Sequence, residues 1–212
     1  MCKFHPLFIL IVLIFPLVFS CTGTPQPEPE YVIFEPVIES GGAALDNQPP
    51  ELIMGRGMVT AEKLSLFLMK NNQSADADYV RRLAGMYLHE SVIEGVNHDV
   101  AFAQMCLETG FLQFNGLVKP EWNNFCGLGA IGPEQPGLKF PNTRIGVRAH
   151  VQHLKAYATD KPISGILVDP RYKYVRKGSS PDIHGLSGTW AADKSYSVKI
   201  SDILQRLYDF SF

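Results

Sequence analysis

Apolar residues recur every three or four positions through five stretches of the chain, and each stretch carries its own start or stop signal. In "TAEKLSLFLMKNN", Thr60 is placed to cap a helix whose apolar face is Leu64, Phe67 and Leu68. "DADYVRRLAGMYLHESVIEGV" puts Val80, Leu83, Ala84, Tyr87 and Leu88 on one face, with Asp76 or Asp78 as cap. "HDVAFAQMCLETG" reads as a third helix, capped by Asp99 and stopped at Gly110. "TRIGVRAHVQHLKAYA" is a fourth, opened by Thr143, with Val147, Val151, Leu154 and either Tyr157 or Ala158 inward. "DKSYSVKISDILQRLYDF" is a fifth, with Asp193 as cap and Val198, Ile203, Leu204 and Leu207 apolar. Between the third and fourth, "NNFCGLGAIGPEQPGLKFPN" is too rich in Gly and Pro for helix and predicts turns and short strands. There is no internal repeat and no strand–helix alternation. The pattern predicts a mainly α fold, a helical bundle with a small loop or β-lobe.

Ahead of residue 51 the pattern changes twice. Lys3 precedes an unbroken apolar run from Leu7 to Phe19, the position and length of a secretory core rather than a bilayer span. The run ends "VFSC", similar to a bacterial lipobox, which implies cleavage after residue 20 and lipidation of Cys21. Simple secretion and an uncleaved N-terminal anchor are the alternatives. Residues 21–50 hold Cys21 and then six prolines and five acids with no basic residue, the composition of a tether. As a flexible coil it would hold a domain on the order of 30 Å from a membrane. An edge strand formed by "YVIFEPVI" is the competing reading. The expected organisation is signal peptide 1–20, tether 21–50 and folded domain 51–212.

Composition narrows the function. An apolar share of 46% and a charged share of 19% suit a packed core, and a net charge of -2 argues against nucleic-acid binding. Without Lys3 and the five tether acids, 18 basic residues face 16 acids, so the folded part carries +2 and is not repelled by an anionic cell wall. Its two cysteines, Cys106 and Cys126, either form a disulfide or lie as two buried thiols.

Glu108 is the residue that asks for chemistry. It ends an apolar stretch, in the last turn of its helix, where the macrodipole disfavours a second negative charge. If Leu107 and Phe111 close around it, burial raises its pKa further. A carboxyl kept protonated near neutral pH is what glycoside cleavage uses to protonate a leaving oxygen. The structural alternative is a carboxylate accepting backbone N–H bonds from the loop that follows.

Four motifs in order ("AFAQMCLETGFL", "NNFCGLG", "GVRAHVQHLKAY" and "GTWAADKSYSVKISDIL") resemble the glucosaminidase family, glycoside hydrolase family 73, over about residues 53–207. The resemblance implies a lysozyme-like fold and cleavage of the β-1,4 bond after N-acetylglucosamine in peptidoglycan, or in another glycan containing that sugar. It implies Glu108 as general acid, a cleft lined by Asn124, Phe125 and Gly127, and Gln104 bonding either the acid or the sugar. Asn123 is expected to hold the turn. Trp190 stands where family members often carry a tyrosine; an indole can stack on a sugar and donate an N–H but has no phenolic oxygen. Tyr196 matches the second aromatic of that segment. Glu134 in "GPEQPG" is the candidate second acid, a solvated loop charge being the other reading. Substrate-assisted hydrolysis, internal attack giving an anhydro sugar, and an inactive wall-binding scaffold stay open beside it. No metal, cofactor or nucleic acid is implied, and a monomer is expected. "HESVI" lacks the second histidine of a zinc-protease helix, His150 and His153 read as a surface or cleft-wall pair, and Arg171, Lys173, Arg176 and Lys177 as a solvated basic loop.

Overall fold

Periodicity turns into packing as α1 (Ala61–Asn71), α2 (Ala77–Glu94), α3 (His98–Thr109), α4 (Thr143–Ala158) and α5 (Tyr196–Asp209). The structure, a computed structural model, describes residues 48–211. The signal segment, Cys21 and the tether up to residue 47, with its candidate strand, lie outside the described residues. α2 packs against both α1 and α4, and α3 against α5. Leu64 and Leu68 of α1, Leu83 and Tyr87 of α2, Phe102 and Met105 of α3, Leu154 of α4 and Ile200 and Leu204 of α5 are fully enclosed between them. Each large side chain so buried contributes about 1.5–3 kcal/mol against exposure.

Thr60 and Asp76 cap α1 and α2 as their positions require, accepting from Lys63 N and Tyr79 N. Three other caps differ from the sequence reading. Asn97, not Asp99, opens α3 by accepting from Asp99 N and Val100 N. Asp99 is thereby turned inward, where it accepts from Met58 N at 2.8 Å, Val59 N at 3.2 Å and Tyr208 Oη at 2.7 Å, stapling the entering chain and α5 to α3. Asn142, not Thr143, opens α4. Asp193 lies before α5, accepting from Ser195 N and pairing with Lys199 across 2.7 Å. Val198 is 57% exposed, and Ile200 takes the inward position expected of it.

The segment between α3 and α4 is not a β-lobe. Among the described residues, pairing there is a single isolated bridge, Gly132 to Gln135, and the only regular element is a 3₁₀ turn at Pro120–Trp122. Asn124 supplies what a ladder would have supplied. Its Nδ2 donates to Leu128 O and Leu138 O, both at 3.0 Å, and its Oδ1 accepts from Leu128 N at 2.8 Å. Asn123 donates to Phe140 O and accepts from Thr143 Oγ1, fixing the turn as expected. The turn lies directly on α4 at Gly146, where a Cβ would fall 1.8 Å from Asn123 O. Cys106 and Cys126 are both buried free thiols, not a disulfide.

Candidate active site

Glu108 stands one residue before the end of α3, where Gly110 reverses the chain in a left-handed conformation. Its carboxyl is half-buried, and two side chains from the far end of the sequence meet it. Trp190 Nε1 donates to Oε1 at 3.0 Å, and Tyr196 Oη donates to the same oxygen. Neither donor is the backbone of the following loop. Phe111, expected to close over the acid, instead packs edge-on against Phe67 with ring centroids 5.9 Å apart.

Both donors are held from behind. Tyr196 is the first residue of α5, which packs on α3 and so brings the phenol to Glu108. Trp190 N bonds Leu186 O at 3.0 Å, and the indole lies against His153, Tyr157 and His150, at centroid distances of 5.1, 5.3 and 5.9 Å. His153 is fixed in turn by Asp169 Oδ2, 2.7 Å from its Nδ1. The two histidines are therefore buried supports behind the indole, not the surface or cleft-wall pair expected.

The second oxygen, Oε2, is on the side of Gly127 in the lobe. Gly127 has φ +64°, and a Cβ there would lie 3.7 Å from Oε2. Oε2 has no hydrogen-bond partner among the described residues, whereas Oε1 has two. Burial raises the Glu108 pKa above that of a free glutamate, against the smaller opposing pull of the Tyr196 and Trp190 bonds. With Oε1 already accepting from both donors, Oε2 is the oxygen open to a proton.

The structure thus brings Glu108, Gly127, Trp190 and Tyr196 together. Three other expected residues are buried away from the Glu108 carboxyl. Gln104 is fully buried, donating to Tyr196 Oη at 2.9 Å with its own oxygen 3.0 Å from His150 Nε2, so it supports the phenol rather than touching the acid or a glycan. Asn124 has both polar side-chain atoms bonded to the lobe backbone, and Phe125 is a core residue edge-on to Tyr87. Glu134 is exposed at the tip of the Gly132–Gln135 turn, and among the described residues nothing ion-pairs with it or orients it toward Glu108. Sequence reasoning missed Tyr87 and His150 as parts of the site. The available signal was a histidine on the same inward face of α4 as Val147, Val151 and Leu154, since a buried imidazole needs a partner.

The family profile described as "Glucosaminidase: Mannosyl-glycoprotein endo-beta-N-acetylglucosaminidase" matches residues 68–209, spanning α2 to α5 and every residue of the Glu108 cluster. The chain belongs to the glucosaminidase family. A protein of Borreliella burgdorferi, itself uncharacterized, is 44% identical over 159 residues, which is 75% of this chain and 78% of that one. Two crystal structures of S. aureus autolysin E are each 13% identical to this chain, both with a TM-score of 0.49. One, in complex with the muropeptide NAM-L-Ala-D-iGlu, matches over 76% of this chain and 74% of that chain. The other, a catalytic mutant with the disaccharide NAG-NAM, matches over 74% and 70%. That likeness is too distant to carry chemistry from those proteins to this one.

Proposed function

We propose that this glucosaminidase cleaves the glycan strand of peptidoglycan at the β-1,4 bond after N-acetylglucosamine, with Glu108 as general acid. The observation that carries the reading is the asymmetry of the Glu108 carboxyl, one oxygen met by two neutral donors and the other without a hydrogen-bond partner among the described residues. Oε2 gives its proton to the glycosidic oxygen as the C–O bond breaks, and the carboxylate left behind is stabilised through Oε1 by Trp190 and Tyr196. The sequence ahead of residue 51 supports an exported enzyme tethered to a membrane through lipid on Cys21. The family's substrate class supports a glycan containing N-acetylglucosamine, and the +2 charge of residues 51–212 suits an anionic wall.

The group that completes the reaction is the open half. Glu134, exposed and unoriented, is a weaker candidate for it than the sugar's own acetamido group or an internal hydroxyl, which need no second carboxylate. Products decide. The full-length protein and its Glu108→Gln variant are incubated with purified sacculi, and the fragments are reduced with borohydride and identified by mass spectrometry. Reduced N-acetylglucosamine ends, absent with the variant, are expected. Anhydro-muramyl ends would keep the acid and make the enzyme a lytic transglycosylase. Binding without any fragments would make the protein a wall-binding scaffold and refute the proposal.

A further inference from the structure

Behind Glu108 a hydrogen-bond chain runs inward through three fully buried side chains. Tyr196 Oη has one hydrogen and gives it to Glu108 Oε1, so toward Gln104 it can only accept. Gln104 must then present its Nε2 to Tyr196 at 2.9 Å and its Oε1 to His150 Nε2 at 3.0 Å. An amide oxygen only accepts, so Nε2 carries the imidazole hydrogen and Nδ1 is bare. Nδ1 lies 2.8 Å from Tyr87 Oη, which donates to it. Burial pushes His150 down to about 3, so the ring is neutral at physiological pH and has one hydrogen to place.

The opposite arrangement is sterically equivalent and electrically different. With the hydrogen on Nδ1, the imidazole Nε2 would accept and Gln104 would turn its amide group over. Its oxygen would then compete with Glu108 for the Tyr196 hydrogen. Oε1 would be left with Trp190 alone, and the acid proton could sit on either oxygen. Tyr87 prevents this. Its ring is edge-on to Phe102 at 5.6 Å and Phe125 at 6.4 Å, and among the described residues its hydroxyl has no acceptor other than His150. A buried hydroxyl whose hydrogen has one destination must donate there.

We propose that His150, its tautomer fixed by Tyr87, is a positioning residue that sets the direction of this chain and so confines the proton of Glu108 to Oε2. The inference rests on the reading of Glu108 as the acid. It concerns residues three and four hydrogen bonds removed from the carboxyl, Gln104 transmitting the direction. The other titratable groups that act on the chain's members are Tyr79 on α2, Cys106 on α3, Cys126 in the lobe and His153 on α4.

The test uses the full-length protein, labelled with ¹⁵N at histidine, and its Tyr87→Phe, His150→Phe and Glu108→Gln variants. The His150→Phe spectrum assigns the resonances by their loss. Long-range ¹H–¹⁵N correlations of the unmutated protein are expected to show His150 protonated on Nε2 alone from pH 5 to 8. In Tyr87→Phe the Nδ1-protonated form should appear. The alkaline limb of kcat/KM on solubilised glycan strands should then move up by ~0.5–1 pH unit, because Glu108 loses a donor and works only while protonated. An Nδ1-protonated or charged ring in the unmutated protein overturns the proposal whatever the variants do. So does a Tyr87→Phe variant that leaves either the tautomer or the limb in place. Turnover retained by Glu108→Gln would instead sink the reading of Glu108 as acid. An inactive Glu108→Gln beside an unmoved limb sinks only the role of His150.

Discussion

Glu108→Gln should make the folded protein more stable at neutral pH while removing its turnover. The amide keeps an oxygen where Oε1 accepts from Trp190 and Tyr196, and it places an NH₂ where Oε2 carries its proton. It is therefore a copy of the protonated acid that cannot ionise. The folded carboxyl holds its proton more tightly than the unfolded one, whose value is 4.5. Below that value both states are protonated and the variant gains nothing. Between it and the raised folded value the folded state binds more protons, so stability falls as pH rises. Each unit of upward displacement costs about 1.4 kcal/mol once the group is ionised. For a chain of this size that corresponds to ~3–6 °C in Tm per unit. Thermal unfolding of both proteins from pH 4 to pH 8 measures it. The Tm difference should be near zero at the acid end and grow in favour of the variant toward pH 8. A variant less stable at pH 8, or a gap independent of pH, would refute the claim that this carboxyl is held protonated by its surroundings.

Trp190→Phe removes the indole N–H and keeps a ring in its aromatic setting, so Glu108 should lose one donor, kcat should fall about ten-fold, and the alkaline limb should move up, as pH–rate profiles would show. Gly146→Ala forces a methyl into Asn123 O, and the overpacking should cost about 1–3 kcal/mol, read as a fall in Tm. Glu134→Gln should keep turnover within about two-fold, against the 10²–10⁴ that a positioned acid or base supplies; a loss of that size in the fragment assay would restore Glu134 as the second carboxylate.

The five helices were legible because amphipathic spacing is local information. Val80, Leu83, Ala84 and Tyr87 form one buried stripe wherever the helix ends up. Caps were less so where two competent residues lie within two positions of each other. Asn97 against Asp99, and Asn142 against Thr143, differ in which residue leaves the helical backbone, and that is settled by the loop before it. The lobe was left between a loop and short strands because Gly and Pro exclude helix without specifying what replaces it, and the Asn124 side chain makes the bonds a ladder would have made. At the site, Glu108 stood out through its own neighbours in sequence. Gln104 and Phe125 did not reveal that they face inward, since proximity to a catalytic motif says nothing of which side a residue serves. The His150–Tyr87 contact spans 63 residues and left no local trace beyond the apolar face around the histidine.

What sets Glu108 apart becomes plain beside the other enclosed carboxylates. Glu90 is bridged by Arg144 and Arg148, Glu94 by Lys155 with the backbone N–H groups of Ser164 and Gly165, and both are held below the usual carboxylate range despite burial. Asp169 pairs with His153 and accepts from Arg171 N, and Asp99 accepts from two backbone amides and a phenol. In each case both oxygens have donors, and around Glu90 and Glu94 the cations among them favour the ionised form. Around Glu108 the donors are neutral and converge on one oxygen, so burial outweighs them and the carboxyl is held above the usual glutamate range. Removing water from a carboxyl without supplying a cation costs stability, and among the described residues the buried acids Glu90, Glu94, Asp99 and Asp169 each have donors on both oxygens where Glu108 has them on one. The same two bonds that stop short of drawing the proton off are in position to hold the charge once it has gone.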